Sequence, residues 1–211
     1  MVEQNLLGKQ SILFEMGCAN NPEQSQSWAQ QASELLFKLG GEHTFQPPAA
    51  LLHFALGIGH AIVAMNPAFS DKNIAGFVKM TPWVVPASEV HISEKKGSMA
   101  ENETDFQSIH DGHTIPVCVE IGSLVVETSN QGQDLGKKLV NRMVDLSDRW
   151  YPDIHKIAVV TNDNIASLKV FERLQWKKIS KADAITQFGI DVLEGWEPES
   201  TIFVYQGEKK I

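Results

Sequence analysis

The chain is poor in cysteine and in positive charge, and it has no uninterrupted apolar run of membrane-spanning length. Its two cysteines, Cys18 and Cys118, stand a hundred residues apart, without the close spacing of a disulfide framework or a zinc site. A reducing, cytoplasmic setting is the simpler expectation. Eighteen Lys and Arg against 26 Asp and Glu leave a net charge of −8. That sign argues against nucleic-acid and anionic-membrane surfaces, which rest on clustered cations, and it is compatible with a cationic amine partner. The most apolar segment, Ala49 to Met65, is interrupted by His53, Gly57, Gly59 and His60 and falls short of the ~20 apolar residues of a span. The opening MVEQNLLGKQ has an early acid and no basic-then-apolar order, so no secretory signal is expected, and the sequon Asn102-Glu103-Thr104 reads as chance. Repeats and low-complexity tracts are also missing.

What is present is the composition of a folded domain: 43% hydrophobic and 21% charged over 211 residues, which favours one α/β domain with an elaborated end. Its organising stretch runs from Ile115 to Trp176. Ile115 to Val126 is β-branched and apolar with Glu120 as its single charge, and reads as a strand buried on both faces. The polar run Glu127 to Asp134 follows, and then Leu135, Leu139, Met143, Leu146 and Trp150 recur at helical spacing. Lys156 to Thr161 is a second strand, so strand, helix and strand form a crossover unit that makes the two strands parallel. A Gly-containing loop thus opens a helix beside a buried strand end. Free backbone N–H groups and the positive end of the helix dipole suit such a place to phosphate.

Elsewhere, a short strand is expected at Ser11–Phe14 and a helix at Pro22–Leu39, ended by Gly40-Gly41. A short helix reaches about Leu56, and strands at His60–Met65 and Asn73–Trp83 form a hairpin across the turn Pro67–Lys72. Trp176–Ser180 and Thr201–Gln206 supply further strands, and Lys181–Trp196 has no clear pattern. Pro86 to Thr114 is polar. Its His110 and His113 carry a metal-like spacing, but without a nearby Cys they read as solvated, and no metal site is assigned. The segment is better read as a loop that covers or gates a site.

The motif residues resemble the GNAT superfamily of acyl-CoA N-acyltransferases. That family's pyrophosphate loop, Gln/Arg-x-x-Gly-x-Gly/Ala, is matched by Gln131, Gly132, Gln133, Asp134, Leu135 and Gly136, with Asp134 at the middle glycine. Its block Asn-x-x-Ala-x-x-x-Tyr-x-x-x-Gly-Phe is similar to Asn164 through Trp176, with Phe171 for Tyr, Gln175 for Gly and Trp176 for Phe. The segment Gly76-Phe77-Val78 looks like the strand beside the acyl-binding one.

The resemblance implies a mixed, mostly antiparallel sheet of six or seven strands, flanked by helices, with a parallel central pair. It implies one domain over 1–211, with a motif core at 115–180, a variable region at 1–59 and a loop insertion at 86–114. It also implies acetyl-CoA, or another acyl-CoA, as co-substrate. Leu124, Val125 and Val126 would bind the pantetheine arm, and the loop 131–136 with Lys137 would take the pyrophosphate. Asn164, Ser167 and Phe171 would complete the cofactor side. The reaction implied is transfer of an acetyl or acyl group to a primary amine by direct attack in a ternary complex. The acceptor, a small molecule or a peptide, stays open, as do acyl chain length and a homodimeric state.

Chemistry adds its own requirements. A neutral amine at pH 7 costs about 4 to 5 kcal/mol unless a base removes its proton. Glu120, the lone carboxylate of an apolar strand, is the candidate base, since burial raises a carboxyl pKa; the competing reading pairs it with a cation of a neighbouring strand. Asp134 either caps the helix or repels phosphate, with Lys137 and Lys138 in the same turn to offset its charge. Phe171 stands where relatives carry the tyrosine that protonates the leaving sulfur, so that proton falls to Tyr151, Tyr205 or water, or is not needed. Asn164 caps the second helix, and Cys118 reads as packing rather than as a nucleophile. An alternative to catalysis is an acyl-CoA-binding or regulatory module that has lost turnover, and a third reading is an unrelated phosphate-binding α/β protein.

Overall fold

The computed structural model describes residues 13–16, 22–39, 48–65, 74–86, 114–189, 191–193 and 199–207. The elements are β1 (Leu13–Met16), α1 (Pro22–Leu39), α2 (Ala49–Gly57), β2 (Ala61–Met65), β3 (Ile74–Pro86), β4 (Thr114–Val126), α3 (Leu135–Trp150), β5 (His155–Thr161), α4 (Ile165–Arg173), β6 (Lys177–Ile179), α5 (Lys181–Phe188) and β7 (Ser200–Val204). Hydrogen bonding orders the described strands β1-β2-β3-β4-β5-β7-β6. The mixed α/β sheet, in which β4 and β5 pair in parallel, is the fold class expected from the motifs. Residues 87–113 of the polar segment expected to cover or gate a site, with His110, His113 and the sequon, lie outside the described residues, as does Cys18.

The chain divides into two compact units, with boundaries inside β3, β4 and α3. The first holds residues 1–79 and 123–143. In it β1 pairs antiparallel with β2, and β2 with β3. α1 begins with Pro22 and Glu23 and ends with Lys38, charges that suit the two poles of the helix. It buries Trp28, Ala29, Ala32, Leu35 and Leu36, a helical stripe that packs with Leu52 and Leu56 of α2 and with Ile74, Phe77 and Val125.

The second unit holds 80–122 and 144–211. β4 pairs parallel with β5 over Cys118↔His155, Val119↔Lys156 and Glu120↔Ile157, and β5 pairs antiparallel with β7, which also carries β6. Cys118, Ile157, Ala184, Phe188, Val192, Ile202 and Val204 form its core. Among the described residues, no helix is long and apolar enough to cross a membrane.

The structure departs from the sequence reading in three places. β4 is buried on both faces only around Cys118, Val119 and Ile121, where it pairs with β5; Ile115 is 40% exposed and Gly122–Leu124 are half-buried. Trp150 lies on the apolar helical spacing but is 41% exposed at the end of α3. The unassigned Lys181–Trp196 begins with α5, whose start is fixed by a capping box: Ser180 Oγ accepts from Asp183 N, and the Asp183 carboxylate accepts from Ser180 N.

Candidate active site

The loop begins where β4 ends. Glu127 N donates to the Ala75 carbonyl at 2.9 Å, and the Glu127 carboxylate accepts from Ser129 N at 2.8 Å, from the Ser129 hydroxyl and from Asn130 Nδ2. These bonds wind Thr128–Asn130 into a 3-10 turn and hold the Glu127 pKa below its ordinary value, the Ser129 hydroxyl bond being the largest cause. Gln131 Nε2 reaches back to the Val126 carbonyl at 3.1 Å, so the first residue of the loop motif ties the loop to the strand end.

Beyond it the backbone turns through two left-handed residues, Gly132 at φ +75° and Asp134 at φ +57°. Asp134 thus adopts the conformation open to a glycine, and aspartate, with asparagine, is among the residues that tolerate it best. Its carbonyl accepts from Lys138 N at 3.1 Å, which places Asp134 at the cap of α3. A left-handed residue followed by helical Leu135 brings successive N–H groups into a concavity that suits an anion, at a helix terminus of the same sign preference. Gln131, Gly132, Gln133 and Asp134 are exposed, Leu135 and Gly136 are buried, and Lys137 is half-buried. The donor set therefore fits a pyrophosphate, with the Asp134 charge as the opposing feature.

Leu124, Val125 and Val126 belong to the same unit as the loop. Val125 is buried in the core with Phe77 and Ile74, and Leu124 and Val126 are half-buried. Gly76 of β3 is required by close approach: a Cβ there would stand 2.9 Å from Leu139 Cδ1 and 3.0 Å from the Val125 carbonyl oxygen.

Glu120 lies in the other unit and is half-buried. Its Oε2 accepts from the indole Nε1–H of Trp83 on β3, at 3.1 Å. A sequence reading has no means of finding this neutral partner, which is 37 residues away on another strand. Cys118, on the same face of β4 by alternation, is fully buried; burial pushes its thiol up to about 12, and the nearby Glu120 charge adds to the effect. A thiol so raised is no nucleophile at neutral pH.

The second block lies in that unit too. Asn164 Oδ1 accepts from Ser167 N at 3.1 Å, the expected cap of α4. Ser167 is buried, and Phe171, 2% exposed, packs its ring against Phe203 and Trp176. Of the other proton donors considered, Tyr151 is buried, with its pKa raised by that burial, and Tyr205 is half-buried against Trp176. Among the described residues, no cluster of His, Cys, Asp and Glu could hold a metal ion.

The family model described as the acetyltransferase (GNAT) family matches residues 28–176, a span that includes Glu120, the loop and the second block. The chain belongs to the GNAT acetyltransferase family. The solved structures similar to it include NAA60 of Arabidopsis thaliana in complex with acetyl-CoA, at 18% identity and TM-score 0.56, covering 92% of this chain and 98% of that one. Diaminobutyrate acetyltransferase EctA of Paenibacillus lautus, in complex with L-2,4-diaminobutyric acid and coenzyme A, is similar at 12% identity and TM-score 0.54, over 93% and 95%. N-acetylglutamate synthase of Neisseria gonorrhoeae, complexed with coenzyme A and N-acetyl-glutamate, matches at 12% identity and TM-score 0.56 over 93% of this chain and 35% of its own. At such identities the likeness speaks for the GNAT fold. No curated protein sequence matches the chain.

Proposed function

We propose that the chain transfers an acetyl group from acetyl-CoA to a primary amine by direct attack, with both substrates bound together. The observation that carries this reading is the left-handed Asp134 at the head of α3, which keeps the glycine-like loop geometry where the motif itself departs from glycine. In this reading the N–H groups of Gly132 through Lys137 hold the pyrophosphate, and Leu124 to Val126 line the pantetheine arm as an added strand. Asn164, which holds the start of α4, Ser167 and Phe171 belong to the cofactor side. Acetyl-CoA supplies the activated carbonyl and a leaving thiolate.

Glu120 takes the proton of the acceptor amine, directly or through one water, as the C–N bond forms and the C–S bond breaks. The buried phenylalanine at 171 leaves no acid at its usual place, and a thiol pKa near ~8.5 makes thiolate a fair leaving group without one. The same phenylalanine favours the second reading, a GNAT-like module that binds acyl-CoA without turnover. Peptide and small-molecule acceptors both stay within the proposal. Calorimetry of acetyl-CoA on the intact chain and on Gly132→Glu tests the cofactor part. Binding that is lost in the variant supports the loop, and no binding by the intact chain overturns it. A panel of amines then separates the two readings by turnover.

A further inference from the structure

Trp83 and Gly122, both of its own unit, lie against the Glu120 carboxylate. The Trp83 indole N–H donates to Oε2 at 3.1 Å. Gly122 follows two residues on along the same face of β4, and a Cβ there would lie 3.0 Å from Oε1 and 3.6 Å from Cδ. Gly122 has no left-handed φ, so the position calls for room rather than for backbone freedom. The donor is itself held: the Trp83 ring packs on the core that contains Cys118, Ile157 and Phe188.

A glutamate side chain on a strand has several staggered rotamers. A fixed N–H at one oxygen and a bare Cα under the other select among them. The donor's chemistry also matters. An indole N–H donates only and carries no charge, so it orients a carboxylate at less cost to its basicity than a guanidinium or ammonium group would. We infer that Trp83 and Gly122 are positioning residues that aim the Glu120 carboxylate at the acceptor amine. The inference rests on the reading of Glu120 as the base.

The test is a set of double-variant cycles on the full chain, with kcat and both KM values measured. Trp83→Phe keeps an aromatic ring and removes the N–H; Gly122→Ala adds the Cβ, which the flexible end of Glu120 can accommodate by moving. Each variant is expected to lower kcat about tenfold, as for a catalytic group displaced by a fraction of an ångström, with the acetyl-CoA KM within about twofold. Neither is expected to lower the residual rate further once Glu120 is Gln, because both act only through that carboxylate. Losses that repeat in the Glu120→Gln background, or no loss in either single variant, overturn the positioning assignment and leave the base in place. Full turnover in Glu120→Gln itself overturns the base reading instead. Should Trp83→Phe fail to fold, benzothienylalanine at position 83 keeps the bicyclic shape without the N–H and gives the same comparison.

Discussion

Trp176 meets Phe171 edge-on, with ring centroids 5.0 Å apart, across the C-terminal end of α4. Around this contact Trp176 N donates to the Phe171 carbonyl at 3.1 Å and Gln175 N to the Glu172 carbonyl at 2.9 Å, the paired bonds of a Schellman motif with its apolar contact. The residue between them, Gln175, sits at φ +58°, where the resembled family's block has glycine. Gln175→Gly is expected to stabilise the fold by about 0.5 to 1 kcal/mol, the left-handed penalty less the extra freedom of an unfolded glycine. Urea denaturation measures it, and a destabilised variant would mean that the glutamine side chain contributes more than its backbone costs.

Asp134 poses the same conformational question at the other end of a helix, with a charge added. Asp134→Gly keeps φ +57° accessible and removes a carboxylate beside the expected pyrophosphate. Acetyl-CoA affinity is expected to rise about three- to tenfold, an effect that shrinks at high salt. Titration calorimetry at two ionic strengths measures it; weaker binding would show that the carboxylate acts in the bound state.

Gly76 separates β3 from the Val125 carbonyl and Leu139 by less than a methyl group allows. Gly76→Ala is expected to cost about 1 to 3 kcal/mol, as overpacking does, because one of the two obstacles is backbone. Thermal unfolding reads the loss. A neutral substitution would mean that the strand end can shift without penalty.

Glu127 gives the loop an acid limit. Its pKa is lowered in the folded chain, chiefly by the Ser129 hydroxyl, so the turn it caps is fully supported above the ordinary carboxylate range, around pH 4.3. That support is lost as pH falls through the lowered folded value. The protection of the Ser129 and Asn130 amides against exchange, taken relative to the intrinsic rate at each pH, is expected to fall as pH drops below the ordinary carboxylate range, with this acid dependence absent in Glu127→Gln. An equal response in both proteins would place the titration elsewhere.

The helices were the most legible part of the sequence because burial repeats along them. Leu135, Leu139, Met143 and Leu146 are all buried, as their spacing indicated, while Trp150 escaped the rule because the helix end faces outward. α5 was missed because it buries little beyond Ala184 and Phe188, although Ser180 and Asp183 carried a readable capping signal. The loop was found by its residues, but the left-handed state of Asp134 and Gln175 was not, since any non-glycine there runs against local preference. Glu120 stood out as a lone charge in an apolar strand. Its partner Trp83 did not, because a tertiary hydrogen bond between distant strands leaves no local pattern.

The most direct measurement compares Glu120→Gln with the intact chain in steady-state acetyl transfer to its best amine and in calorimetric acetyl-CoA binding. Removal of a general base is expected to lower turnover about a hundredfold or more at neutral pH, with acetyl-CoA affinity unchanged. Turnover retained in the variant would contradict the role given to Glu120, and with it the mechanism built on β4.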